Sequence, residues 1–144
     1  MTIEIAEALA FADQQRNGVL ITSRANGRPQ VSNIVYGLAG GTVKVSITAD
    51  RAKYRNIVRN PAVTLHVTKP DFSAYVVIDG TASLAPVVAD PADATADELV
   101  ALYRSIAGEH PDWDAYRAAM IADGRTVLTI TPTYAYGMPN RTGW

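Results

Sequence analysis

The chain has 144 residues, a formal net charge of -1 at pH 7, 48% hydrophobic residues and no cysteine. This length predicts one domain, and the near-neutral charge argues against a nucleic-acid-binding protein. The lack of cysteine excludes disulfides and thiolate chemistry. No stretch reaches the ~20 apolar residues of a membrane span. The N-terminal segment also lacks the basic start of a signal peptide, so we expect a cytoplasmic protein.

The first part of the chain predicts one helix followed by three strands. Apolar residues recur at helical spacing from Ile5 to Ala12. Strand-like runs follow at 18–25, 29–38 and 43–48. Asn26-Gly27 joins the first two and is typical of a tight hairpin turn, and Gly40-Gly41 joins the second to the third.

A basic helix start follows the third strand directly. Arg51, Lys53 and Arg55 stand within five residues, and Asn60-Pro61 ends the helix. The unpaired N–H groups and the dipole of a helix N-terminus attract anions, so this arrangement is suited to a phosphate. The alternative is a solvated charged face, because Arg51 and Arg55 are four residues apart and share one side of the helix.

The remainder predicts three more strands and two helices. The strands are expected at 62–68, 75–85 and 125–132, with a bulge or bend at Gly80. The first helix is expected to start within 90–95, to carry an apolar stripe over 99–106 and to end at Gly108. The second is expected at 112–122, and both lie in a helical insert at about 93–123 of a single domain covering 1–144. Six short, mostly antiparallel strands favour a mainly β fold, a small closed barrel with flanking helices.

Neither histidine indicates a metal site. The spacing of His66 and His110 fits no common ligand pattern. His66 lies on the polar side of an alternating strand, where a hydrogen-bonded structural role is expected. His110 precedes Pro111 between two helices, and a loop position explains it better than acid–base catalysis. No catalytic residue is assigned from the sequence.

Three segments together resemble the pyridoxamine-phosphate-oxidase-like split barrels, which bind flavins or deazaflavins. They are NGRPQVSN at 26–33, VSITADRAKYRNIVRNP at 45–61 and YVVIDGTASL at 75–84. The helical stretch 99–120 resembles the actinobacterial branch that uses the deazaflavin coenzyme F-420. The resemblance implies a six-stranded antiparallel split β-barrel of the FMN-binding type and a homodimer, with no nucleic acid, membrane or metal as partner.

The resemblance also implies where the cofactor is held. The phosphate positions correspond to Arg51, Lys53, Arg55 and Asn56. The ring and its side chain correspond to Gln30, Ser32 and Asn33 on the second strand and to Ser46, Ile47 and Thr48 on the third. Tyr75, Tyr136 and Met138 are expected to reach the pocket from the partner subunit. From the residues alone, a buried Asn33 needs a partner, and either the backbone or a ligand supplies it.

The implied function is hydride transfer between coenzyme F-420 and a small organic substrate. Two alternatives remain open: an FMN-dependent reductase or oxidase of the same fold, and a non-catalytic deazaflavin-binding or carrier protein. The C-terminal MPNRTGW contains only Arg141 as a cation, which argues against a phosphorylated pyridoxine substrate. For Trp144, an interfacial aromatic cap and a disordered end both remain open.

Overall fold

The computed structural model describes residues 1–143, in which seven strands form one antiparallel sheet with four helices around it. The expectations for Trp144 lie outside the described residues. The strands are β1 (Asn17–Ser23), β2 (Pro29–Val35), β3 (Gly37–Ala39), β4 (Thr42–Thr48), β5 (Ala62–Thr68), β6 (Tyr75–Leu84) and β7 (Arg125–Met138). The helices are α1 (Ile5–Asp13), α2 (Ala52–Arg59), α3 (Ala94–Ala107) and α4 (Trp113–Asp123).

A single residue, Tyr36, joins the two edge strands of the sheet. The strand order is β2-β1-β5-β6-β7-β4-β3, so the two outermost strands are neighbours in the chain, with only Tyr36 between them. Tyr36 is 2% exposed, and its hydroxyl donates to the carbonyl of Ala12 at 2.6 Å. Its N–H donates to the Arg16 carbonyl at 3.1 Å. These bonds anchor the point at which the chain leaves one end of the curved sheet and enters the other.

The predicted strand 29–38 is therefore two strands, and the prediction of six strands is wrong. The first piece pairs with β1 and the second with β4. Gly37 opens the second piece where α3 packs closely. A Cβ on Gly37 would lie 2.9 Å from Leu102 Cδ1 and 2.9 Å from Ser105 Oγ. Residues 29–38 have strand propensity throughout, so the sequence contained no sign that the two pieces pair with different strands.

Two local features occur as predicted. The hairpin at Asn26-Gly27 joins β1 and β2, whose register pairs Ser23 with Pro29. The register of β6 on β7 shifts between Asp79 and Gly80. A Cβ on Gly80 would lie 2.7 Å from the carbonyl oxygen of Thr131, so this close approach of the two strands requires glycine.

The last strand is longer than predicted. The residues after Pro132 were expected to form a separate tail, but β7 continues to Met138 and pairs with the start of β6. The register places Tyr136 opposite Val77 and Met138 opposite Tyr75. The sequence signal was misleading because Pro132 and Gly137 usually interrupt strands.

The sheet and the insert have separate cores. The main core includes Leu20, Val45, Leu65 and Ile78 of the sheet, with Phe11 of α1. A smaller cluster around Leu99 lies where α3 and α4 cover β7. Within residues 1–143, no helix is long and apolar enough to cross a membrane.

Candidate functional site

A cleft of about 620 Å³ lies between the main sheet and the helices α3 and α4. Its walls come from the end of β2, the second half of β4, the start of α2 and the facing sides of the two helices. Six of the residues expected to bind the cofactor line it: Asn33, Ser46, Ile47, Thr48, Arg51 and Lys53. The structure therefore brings together residues that the sequence separates by up to two strands and a turn.

Part of the cleft wall is cationic. Arg51 and Lys53 line it from the start of α2, and Arg125 lines it from the start of β7. No side chain caps the N-terminus of α2, and its first turn contains no acidic residue. Within residues 1–143, Arg51 and Lys53 form no ion pair closer than 4.0 Å. Positive charge, helix dipole and free N–H groups thus converge on a region suited to an anion.

The three cations act on one another. Burial lowers the pKa of Lys53, and the charges of Arg51 and Arg125 lower it further. Arg125 is held by Ser46, because its Nη1 lies 3.3 Å from the Ser46 carbonyl and 3.4 Å from the hydroxyl. Its Nε is buried without a hydrogen-bond acceptor among the described residues 1–143 and lies 3.8 Å from the Asp123 carboxylate. An anion between these groups would relieve the repulsion.

The part of the cleft wall that α3 and α4 contribute is apolar and aromatic. Leu102, Ile106 and Met120 line it with Tyr103 and Tyr116. Two bonds hold this part of the insert, one to the sheet and one between its own two helices. Lys44 of β4 pairs with Glu98 of α3 at 2.9 Å, and the Tyr116 hydroxyl donates to the Leu99 carbonyl at 3.1 Å. Burial also raises the pKa of Tyr116.

Two of the four predicted phosphate ligands lie elsewhere. The Arg55 guanidinium is exposed and donates to the Asp50 carbonyl at 2.9 Å. Asn56 is 6% exposed, and its amide links Thr22 at 3.1 Å to Arg59 at 2.8 Å. Neither residue lines the cleft. Their observed contacts are structural, and their assignment to the phosphate stays a prediction.

The β2 residues divide between two faces. Gln30 and Ser32 are half-buried on the face of Ile34 and do not line the cleft. Asn33 is exposed on the opposite face, so the assumption of a buried asparagine is wrong. It lies on the wall shared with a second cleft of about 560 Å³, which Lys69 and Phe72 also line. Asn33 therefore lines both clefts and is not part of the core.

The residues predicted to come from a partner do not line the cleft of their own chain. Tyr75, Tyr136 and Met138 lie on the outer face of the β6–β7 pair, where Tyr75 and Met138 are opposite each other. Tyr136 is 36% exposed and Met138 is 37% exposed. The Tyr75 ring lies 5.8 Å from that of His66.

Sequence reasoning missed Arg125 and the aromatic side chains of the insert. Arg125 reads as the first residue of a strand, and only its pairing with Thr48 across β4 and β7 brings it to the cations of α2. Tyr103 and Tyr116 fit the helical stripe that packs α3 on α4. Their spacing therefore did not show whether they line a cleft or belong to the core. His110 accepts a hydrogen bond from the Asp112 N–H at 2.9 Å, in the loop position expected.

Comparisons with known proteins agree on the fold. The family model described as pyridoxamine 5'-phosphate oxidase matches residues 4–138. A solved F-420 reductase is 28% identical, with a TM-score of 0.68, and the alignment covers 88% of this chain and 94% of that one. A FAD-binding protein from Mesorhizobium loti is 15% identical, with a TM-score of 0.66 and coverage of 95% and 93%. A heme storage protein from Vibrio cholerae is 18% identical, with a TM-score of 0.69 and coverage of 96% and 96%.

Proposed function

This chain belongs to the pyridoxamine 5'-phosphate oxidase family, and we propose that it is an oxidoreductase that uses the deazaflavin coenzyme F-420. The coenzyme would occupy the cleft between sheet and insert and exchange a hydride with a small organic substrate. The observation that carries the proposal is that one cleft is lined both by the cations Arg51, Lys53 and Arg125 and by apolar and aromatic side chains.

The residues present fit such a coenzyme. A phosphate needs several hydrogen-bond donors and positive charge, and the start of α2 provides both. The Lys53 ammonium is repelled by Arg51 and Arg125 and has no carboxylate partner in residues 1–143. A planar ring system needs an apolar wall, which Ile47 and Met120 help to form. The similarity to an F-420 reductase supports this choice of coenzyme.

The protein's own contribution is binding and orientation. When bound, a deazaflavin supplies two-electron hydride transfer, so the chain needs no redox-active side chain. Lys53 and Arg125 would neutralise the phosphate and fix one end of the molecule. The β4 backbone from Ser46 to Thr48 would lie along it, and the α3 side chains Leu102 and Ile106 would exclude water from the ring.

We also propose that the protein is a homodimer formed through the outer face of the sheet. Exposed apolar side chains lie on both sides of that face, with Val31 and Val35 on β2 and Tyr134, Tyr136 and Met138 on β7. The strand register connects the two groups across the sheet. Tyr136 of β7 lies opposite Val77 of β6, and Val77 lies opposite His66 of β5. His66 in turn lies opposite Val19 of β1, which lies opposite Asn33 of β2. A continuous patch of this kind typically marks a protein interface.

Sedimentation tests the dimer. We expect a dimer at micromolar concentration for the native chain and a monomer for Tyr136→Lys. Val58→Lys is the matched control, because Val58 is 66% exposed on α2, outside the patch, and its variant should remain dimeric. A monomeric native chain would contradict the shared pocket and the placement of Tyr75, Tyr136 and Met138 at it.

Two fluorescence titrations and one turnover assay test the cofactor. We expect micromolar or tighter binding of coenzyme F-420, weaker binding of FMN, and oxidation of reduced coenzyme by an organic acceptor. A preference for FMN would favour an FMN-dependent reductase or oxidase. Tight coenzyme binding without turnover would favour a carrier protein. Binding of neither cofactor would refute the proposed function.

A further inference from the structure

His66 lies in the middle of the outer face of the sheet, the surface through which we propose that the dimer forms. Its strand, β5, is the central one of the five that carry the apolar patch, β2-β1-β5-β6-β7. Its neighbours in the register are Val19 of β1 and Val77 of β6. The side chain is half-buried, and its ring lies 5.8 Å from the Tyr75 ring. No residue among 1–143 gives the His66 side chain the hydrogen bond expected from the sequence.

Two cations line the second cleft together with His66. They are Arg16, which precedes β1, and Lys69, which follows β5. The carboxylate of Asp71, in the turn after Lys69, accepts from the Ser73 N–H at 2.9 Å and does not line this cleft. An imidazolium at His66 would therefore add a third positive charge to the cleft.

The strands that carry the patch contain only one carboxylate, that of Asp79 on β6. The register places Asp79 opposite Thr64, whose hydroxyl donates to it at 2.8 Å. The other titratable side chains of the patch on β6 and β7 are tyrosines, and a tyrosine is neutral at pH 7 and below. The single anion near His66 is thus already held by a neutral donor, and it is outnumbered by the two cations of the cleft.

We propose that His66 makes the dimer pH-dependent: a second copy of this chain packs on the neutral ring, and protonation of the ring separates the subunits. The inference rests on the proposed homodimer. In a dimer formed through the outer face, the ring loses its remaining water. Surroundings that include Val19 and Val77 then disfavour the charged form. Separation of the subunits would also withdraw Tyr136 and Met138 from the partner's pocket.

The size of the effect follows from linkage between protonation and assembly. Each subunit contributes one ring that must be neutral in the dimer. A histidine side chain in water, which titrates near pH 6.5, is about 76% neutral at pH 7.0 and about 9% neutral at pH 5.5. With the imidazolium fully excluded, two rings raise the dissociation constant of the dimer about 70-fold between these pH values.

Sedimentation equilibrium of the full chain at pH 7.0 and 5.5, over a dilution series at fixed ionic strength, tests the inference. Far-UV circular dichroism checks that each sample is folded. We expect the dissociation constant of the native dimer to rise about 70-fold at pH 5.5, and that of His66→Gln to change less than about threefold, because its amide stays neutral. The chain has two histidines, so His110→Gln is the matched control and should keep the native pH dependence.

Three results would overturn the inference. An equal dissociation constant of the native dimer at both pH values would mean that the ring stays solvated. An equal pH dependence in the native chain and His66→Gln would place the titrating group elsewhere. A dimer that is lost at pH 7.0 in both His66→Gln and His66→Leu would make the imidazole a required contact rather than a switch, whereas a His66→Leu dimer at both pH values would support the inference.

The same experiment separates this inference from the proposed homodimer. A folded native chain that is monomeric at pH 7.0 would refute the homodimer and the inference together. A native dimer whose dissociation constant does not change with pH would refute only the role of His66.

Discussion

Replacing Lys53 by alanine is expected to weaken phosphate binding without weakening the fold. A charge-assisted hydrogen bond contributes about 1.5–3 kcal/mol, so the dissociation constant of a phosphorylated cofactor should rise about 10- to 150-fold. The free protein does not depend on this charge, because burial, Arg51 and Arg125 all lower the pKa of Lys53. A lysine whose folded pKa lies below its unfolded value costs folding free energy at neutral pH, and the cost disappears as the pH rises to the unfolded value.

Two measurements on the same variant separate these effects. Fluorescence titration with coenzyme F-420 at fixed ionic strength gives the affinity, and urea unfolding gives the stability, which should be unchanged or slightly higher. Arg28→Ala is the matched control, because it removes one positive charge from an exposed position beside the β1–β2 turn, outside the cleft. Unchanged affinity in Lys53→Ala, or equal weakening in both variants, would refute a specific phosphate site on α2.

Three further variants test the site and the fold. Arg125→Ala should weaken cofactor binding about tenfold while Arg125→Lys retains most of the affinity, as the same titration would show. Asn56→Ala should lower the free energy of unfolding by about 1–3 kcal/mol, because Thr22 and Arg59 both lose a hydrogen-bond partner. Unchanged stability together with lost cofactor binding would instead support the assignment of Asn56 to the phosphate. Burial raises the pKa of Tyr36, so native stability should fall above about pH 10, where unfolded tyrosine ionises. Urea unfolding of Tyr36→Phe should show a smaller fall, since Tyr116 also has a raised pKa, and a cost of about 1 kcal/mol at neutral pH.

Local signals in the sequence predicted most elements. The strict alternation of AVTLHVT gave β5 its observed bounds, Ala62–Thr68. The two insert helices begin where aspartates cap them: Asp93 accepts from the Ala96 N–H at 2.8 Å and Asp112 from the Ala115 N–H at 3.0 Å. Such signals act within a few residues, so a single chain is enough to detect them.

Features that depend on long-range pairing could not be predicted in the same way. The split at Tyr36 arises because β2 and β3 pair with different strands, and neither partner is visible in the residues 29–38. Arg125 joins the cations only through the register of β7 on β4. The cleft is lined by Arg51 and Lys53, which the sequence pointed to, and by Arg125 of β7, which it did not, while Arg55 lies outside the cleft.

The most direct test is a crystal structure of the protein with coenzyme F-420 bound. We expect the phosphate to lie between α2 and β7, with its oxygens within 4 Å of Lys53 Nζ and the Arg125 guanidinium, as in an ion pair. We expect the ring to lie toward the α3–α4 wall. A phosphate bound outside this cleft, or a ring seated away from Leu102 and Met120, would contradict these expectations.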